Sequence, residues 1–284
     1  RDPRIRTLSP GRQGLIGALN TGIDHAKSDL IARMDADDFA HPERIGLQYN
    51  FLQTHLDIAL VSCLIRCFPE ANVGEGFRIY EAWLNSLTTP EAIAREIFIE
   101  SPVCHPSIML RKSCLKTIGG YKDFGWAEDY DLWLRLHMSG MQFAKVPQVL
   151  HHWRESPERL TRTDSRYSVE NFLRAKAHYL RLGPLSQDPR ALIWGAGQMG
   201  RRLSKHLVRE GIDLIAFVDI DPRKIGNTRR GAPIIAPEAL AQTWKSADHP
   251  LILAAVPSRG ARELIRERLA EMGLTEGENY LCVA

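Results

Sequence analysis

Three carboxylates, Asp35, Asp37 and Asp38, fall within four positions in the stretch LIARMDADDFAHPERI. Crowded without a partner they repel, and partial desolvation pushes each toward its neutral form. A cation absent from the sequence would relieve the crowding. Mg²⁺ and Mn²⁺, which take one or two carboxylates together with phosphate oxygens, suit the task. A solvated acidic turn capping a helix that starts at Pro42 would use the same residues, and a D-x-D pair alone does not decide between the two. A second acidic cluster lies in GWAEDYDLWLRLHMSG. Helical spacing puts Asp129 on the face of Leu132, Trp133 and Leu136, and puts Glu128, Asp131, Arg135 and Ser139 on a polar stripe. An inward carboxylate beside a metal-diphosphate site can take a proton from a hydroxyl, whereas acids in a first helical turn can also simply complement the helix dipole. A third cluster is GAGQMG, with Gly195, Gly197 and Gly200, followed at the end of the next apolar run by Asp219. A glycine turn of this kind lets a backbone approach a diphosphate while the acid takes a ribose hydroxyl, or it serves close strand-helix packing alone.

These residues need elements to hold them. GLIGALNTGIDHAKSD reads as a helix feeding the strand LIARM, whose carboxyl end is where an open α/β sheet binds ligands. Ile45, Tyr49, Leu52 and Leu56 predict the apolar face of a helix entered at Pro42 and leading to a strand near IALVSCL. No element is assigned between Arg66 and Pro90. A helix PEAIAREIF, a strand PSIMLR, a short helix ending at Gly119-Gly120 and a buried helix stopped by Gly140 follow. From Arg190 the order strand, glycine turn, helix, strand and further alternation predicts a second, smaller α/β layer.

Taken in order, GLIGALNTGIDHAKSDLIARMDADD, HPSIMLRKSCLKTIGGY and AEDYDLWLRL resemble the family 2 glycosyltransferases, which have the nucleotide-diphospho-sugar transferase (GT-A) fold. The resemblance spans residues 8–160. It implies an inverting transfer from a nucleotide-diphospho-sugar donor to a glycan or lipid-linked acceptor. Asp37 would be the Mn²⁺ or Mg²⁺ ligand, with Asp35 at the ribose and metal, and Asp129 the base. Glu128 and Arg154 would contact substrate, and His151, His152 and Arg154 in VLHHWRE would add a metal ligand or a diphosphate contact. The family's opening strand and base-gripping acidic segment have no counterpart, so the chain reads as an N-terminally truncated piece of a longer protein and the donor base is not legible. The glycine-turn half, with FVDIDPRKIG and GAPIIAPEAL, resembles the Rossmann-like nucleotide-binding domains of sugar O-acyltransferases and polysaccharide-biosynthesis proteins. That implies NAD or a sugar nucleotide at Gly195, Gly197, Gly200 and Asp219, and binding rather than catalysis, because no Y-x-x-x-K and no acyltransferase repeat is present.

The expected architecture is thus an incomplete GT-A-like three-layer domain over 1–160, a helical linker over 161–187 and a Rossmann-like α/β domain over 188–284. Composition is compatible with this: 44% hydrophobic and 25% charged residues describe an ordinary globular chain, and a net charge of +3 without a basic stripe argues against nucleic acid. Five cysteines without a C-x-x-C pair indicate reduced thiols, neither a disulfide framework nor a zinc site. No run is long enough to span a bilayer and no signal segment opens the chain, so the cytoplasm, or the inner face of the membrane, is the expected location. Two other classes stay open: a nucleotidyltransferase, which also uses a carboxylate-metal pair, and a dinucleotide-binding regulatory module with a non-catalytic first domain.

Overall fold

A computed structural model of the chain describes residues 2–9 and 11–284; Arg1 and Pro10 lie outside the description. The chain divides into two compact units, Arg1–Ile93 with Pro102–Thr163, and Ala94–Ser101 with Asp164–Ala284.

The first unit contains α1 (Gly14–His25), β1 (Leu30–Ala32), β2 (Phe39–Ala40), α2 (Arg44–Thr54), β3 (Ile58–Phe68) and α3 (Glu75–Ser86). After α4 (Pro90–Glu96), which crosses the division, come β4 (Met109–Arg111), α5 (Lys112–Ile118), α6 (Glu128–Met138), β5 (Gln142–Arg154) and α7 (Leu160–Thr163). The strands form one mixed sheet in the order β1-β4-β3-β5-β2. Its core is the long parallel pair β3 and β5, running from Ile58 opposite Gln142 to Phe68 opposite Arg154. β2 pairs antiparallel with the end of β5, Phe39 opposite His152 and Ala40 opposite His151. That pairing brings the acidic turn between β1 and β2 to the carboxyl end of β5.

Two expectations change here. The buried face of α2 is Arg44, Gln48 and Leu52, while Ile45, Tyr49 and Leu56 are exposed. The helix faces backbone carbonyls as well as the apolar cluster that Leu52 joins: Gln48 Nε2 donates to Ser107 O and Val61 O, and Arg44 donates to Arg33 O at 2.7 Å. Buried carbonyls need donors, so polar side chains take the inner face. The stretch from Arg66 to Pro90 is not irregular, for it holds the end of β3 and the three-turn helix α3. Asn85 pairs with both the N–H and the C=O of Ile65, and Glu81 accepts from Cys67 N–H, so α3 completes an open side of β3 with polar groups that mask its amphipathic pattern.

The second unit contains α8 (Val169–Leu182), β6 (Arg190–Trp194), α9 (Gln198–Arg209), β7 (Asp213–Val218), β8 (Thr228–Arg229), β9 (Ala232–Ile235), α10 (Leu240–Ser246), β10 (Leu251–Ala254), α11 (Ala261–Glu271) and β11 (Tyr280–Cys282). Strand order is β11-β10-β6-β7-β9-β8, parallel throughout except for the β8-β9 hairpin. Counted in chain order without β8, this is the doubly wound order 5-4-1-2-3. The segment read as a linker is in its greater part structural: α8 buries Leu173, Ala177 and Leu180 in this unit, and Glu170 accepts from Arg202 and His206 of α9. Ser168 caps its start, accepting from Asn171 N–H.

Candidate functional site

The acidic turn is built on β1. Arg33, just past the strand, has its N–H bonded to Ile108 O and its C=O held by Arg44, so the backbone leading into Asp35 is fixed on both sides. The three carboxylates then part company. Asp35 is clasped by Arg33, NH1 at 2.8 Å and NH2 at 2.6 Å. Asp37 is exposed, and its carboxylate makes no hydrogen bond among the described residues. Asp38 turns inward, 6% exposed, and accepts from His151 Nε2 at 2.9 Å and from the backbone N–H of Arg154 at 2.8 Å.

The sequence reading looked outside the chain for a cation, yet Arg33 supplies one to Asp35. It also offered His151 as a metal or diphosphate contact. His151 is fully buried, with Arg44 donating to Nδ1 at 3.1 Å, which leaves the proton on Nε2 for Asp38. Both ring nitrogens are engaged, so its role is to bind the turn to the core. His152 lies edge-on to Phe68 instead. Arg154 stacks over Phe68 at 4.6 Å and donates through Nε to Asp37 O at 2.7 Å. Its two terminal nitrogens make no bond among the described residues and are available to an anion.

The helix α6 brings the other acids. Glu128 is the deeper, 2% exposed, with His105 Nδ1 3.9 Å away; Asp129 is half-buried and accepts from Tyr130 N–H at 2.7 Å. Of the polar stripe, Glu128 and Asp131 are buried, Arg135 is partly buried and Ser139 is exposed. Asp131 is fully buried and accepts from Trp126 Nε1 and Arg135 Nε, because both partners are supplied locally. His105 and Tyr121 wall this end, joined Nε2 to hydroxyl at 2.6 Å, and Asn20 of α1 holds Tyr121 by two backbone bonds. Burial, then the neighbouring Glu128, pushes Asp129 up to about 7, against the opposing pull of the Tyr130 N–H and of Arg33. Burial and the Arg33 charge hold His105 well below its usual range. The Arg33 guanidinium that grips Asp35 also acts, through space, against the rise of Asp129.

For a divalent cation, the exposed, unbonded carboxylate of Asp37 fits, whereas Asp35 already carries a cation. Among the described residues no group of three or more His, Cys, Asp or Glu side chains converges on a metal position. An oxygen-seeking cation here would need oxygens from its substrate, as Mg²⁺ commonly does.

In the second unit Gly195, Gly197 and Gly200 form the turn from β6 into α9, and Asp219 follows β7, where it accepts from Ala196 N–H at 2.9 Å. Gly195, Gly197 and Asp219 border a cavity of about 790 Å³.

Comparison with known proteins bears on the first unit. Residues 1–119 match the model of Glycosyl transferase family 2. The matched stretch includes the Asp35–Asp38 turn and ends before Glu128 and Asp129. Among curated relatives, the putative glycosyltransferase EpsE of Bacillus subtilis strain 168 is 34% identical over 160 residues, 55% of this chain and 54% of its own. A UDP-Gal:alpha-D-GlcNAc-diphosphoundecaprenol beta-1,3-galactosyltransferase of Escherichia coli is 28% identical over 174 residues, 61% of each chain. The chain spans about half the length of the curated relatives it matches. A solved UDP-D-quinovosamine 4-dehydrogenase from Vibrio fischeri is 34% identical over 29% of this chain and 70% of its own, with a TM-score of 0.27. Among the described residues no helix is long and apolar enough to cross a membrane.

Proposed function

We propose that the chain is a glycosyltransferase that moves a sugar from a nucleoside diphosphate donor to a hydroxyl of a glycan or lipid-linked acceptor, in polysaccharide or glycoconjugate assembly. The observation that carries this reading is Asp129, a half-buried carboxylate at the start of α6 beside the fully buried Glu128, where burial and that neighbour raise its proton affinity. A base poised near the working pH is what abstraction of a hydroxyl proton requires. Asp129 takes the acceptor proton as the acceptor oxygen bonds to the anomeric carbon. The bond from that carbon to the diphosphate oxygen breaks, the nucleoside diphosphate leaves with the electron pair, and the configuration inverts. Arg154, held flat on Phe68 with two free terminal nitrogens beside Asp37, grips the diphosphate. Mn²⁺ or Mg²⁺, if held by Asp37 together with diphosphate oxygens, would supply further neutralisation of the leaving diphosphate. His105, joined to Tyr121, backs the buried Glu128 next to Asp129.

The relatives named as glycosyltransferases, and the family 2 match over residues 1–119, support this reading over a nucleotidyltransferase. The test is transfer assayed with UDP- and GDP-sugars, with Mn²⁺ or with chelator, in the protein and in Asp129→Asn. Sugar transfer that disappears in the variant while donor affinity persists is expected. Full turnover in Asp129→Asn would remove the base and with it the mechanism.

A further inference from the structure

We infer that His105 is a positioning residue for the proposed transfer: locked by Tyr121, it turns its Nδ1–H toward Glu128, and through the charge of Glu128 it governs when Asp129 ionises. Its purpose rests on the glycosyltransferase reading; its geometry does not.

Four segments meet at the start of α6. Asn20 of α1 clasps the backbone of Tyr121 on both sides, accepting from its N–H and donating to its C=O, each at 2.9 Å. Gly120 leaves room for that clasp: it has φ +68°, and a Cβ there would fall 2.6 Å from Asn20 Oδ1. The phenol is thereby placed by its own backbone. It is 5% exposed and meets His105 Nε2 at 2.6 Å. The imidazole, itself buried, packs edge-on against the fully buried Trp133, with ring centroids 5.7 Å apart. Its other nitrogen, Nδ1, is 3.9 Å from Glu128 Oε1.

The protons fix the direction of this chain of contacts. Burial holds His105 well below its usual range, so the ring is neutral and carries a single N–H. Burial also pushes the Tyr121 hydroxyl up, so it keeps its proton and can donate. Were Nε2 the donor to the phenol, the Nδ1 lone pair would face the carboxylate of Glu128, which is too buried for solvent to relieve the repulsion. The phenol therefore donates to Nε2, and the Nδ1–H faces Glu128. At 3.9 Å it is too far for a hydrogen bond and near enough for its dipole to favour the charged form. Glu128 stands next to Asp129 and, after burial, is the largest cause of that acid's raised proton affinity. Of the other charged groups around this end of α6, Arg33, just past β1, opposes the rise, and Arg135 is paired with Asp131. Packing alone would ask only for a ring at position 105. The electrostatic chain asks for a hydrogen on one particular nitrogen of it.

The experiment is a direct titration of Asp129. The whole chain is labelled with carboxyl-¹³C aspartate, the Asp129 signal is assigned by its loss in Asp129→Asn, and its shift is followed across pH 4–9 beside the transfer rate. His105→Asn keeps an N–H close to the position of Nδ1, whereas His105→Gln keeps one close to Nε2 only. Without a donor facing it, Glu128 takes up a proton more readily, and a neutral Glu128 no longer resists ionisation of Asp129. The midpoint should therefore stay near the parent's in His105→Asn and fall by roughly one pH unit in His105→Gln, the scale of coupling between neighbouring acids. The rising limb of the transfer profile should move with it. Tyr121→Phe, which keeps the ring and frees the tautomer, should shift the midpoint the same way by less. A midpoint equal in the asparagine and glutamine variants, or one that rises in His105→Gln, overturns the inference. Should His105→Gln fail to fold, Tyr121→Phe decides, and an unmoved midpoint there overturns it. The titration needs no turnover, so the two readings fail separately. A midpoint that shifts as expected in a chain transferring no sugar sinks the glycosyltransferase and leaves the coupling of His105 to Asp129 standing; transfer lost in Asp129→Asn with a midpoint indifferent to His105 does the reverse.

Discussion

Replacing Asp129 by asparagine should make the protein more stable in alkaline solution while it cripples transfer. The carboxylate rises from 3.8 to about 7 on folding, chiefly through burial. For an acid raised in the folded state the sign runs against stability: no penalty below the unfolded value, a growing one as pH climbs from about 4 to 7, and a constant one above. At about 1.4 kcal/mol per unit, the full penalty is about 4 kcal/mol as a ceiling. By pH 5 only about one unit of it has accrued, so about 2–3 kcal/mol develops between pH 5 and pH 8. Asparagine keeps the shape and does not titrate. The gap in melting temperature, variant minus parent, should therefore widen by roughly 5–10 °C between those two pH values. Differencing the two proteins cancels every other titrating group that keeps its environment. Scanning calorimetry at both pH values measures the gap, and transfer kinetics should show a fall of roughly 10²–10⁴. A gap that is flat with pH, or that narrows, refutes the claim that burial raises this acid.

Further expectations follow from neighbouring groups. The parent's transfer rate should climb as pH passes through about 7 and then level off, because the base acts in its ionised form; stopped assays across pH 5–9 would show it. Arg33→Gln removes a charge that favours the Asp129 carboxylate, so the rising limb of that profile should move to higher pH, and a limb that stays in place would mean Arg33 serves Asp35 alone. Asp37→Ala should weaken Mn²⁺-dependent donor affinity measured by calorimetry without altering thermal stability, since its carboxylate is exposed and bonded to nothing among the described residues. His151→Phe takes one partner each from the buried Arg44 and Asp38, and breaking into such a buried network should lower unfolding free energy by about 3 kcal/mol, read from denaturant melts.

The residues of the candidate site stand in local patterns, D-x-D after a strand and E-D at a helix start, which can be read without the fold. Their division of labour cannot. That Asp38 is an anchor and Asp37 a free group depends on His151 and Arg154, more than a hundred positions away. α2 was placed in about the right stretch with the wrong face inward, since an apolar count cannot foresee Arg44 and Gln48 spending their polar ends on buried carbonyls. α3 escaped for the same reason, its Glu81 and Asn85 standing in for a missing strand partner. In the second unit, strand-turn-helix alternation is written in glycines and β-branched runs, while the incorporation of α8 depends on Glu170 meeting Arg202 and His206.

Arg44 joins the backbone ahead of the acidic turn, the carbonyl of Ile108, the ring of His151 and the side chain of Gln48 through a single guanidinium that is 1% exposed. Such a group cannot let go of one acceptor and keep the others dry, for opening any of them admits water to a buried charge. The amide of Arg33 should therefore exchange its hydrogen only by the same global opening that frees the core strands, not by local fraying of a surface loop. A site on this turn inherits the lifetime of the whole unit, so agents that loosen the core would be expected to abolish its function at the same midpoint, with no earlier phase.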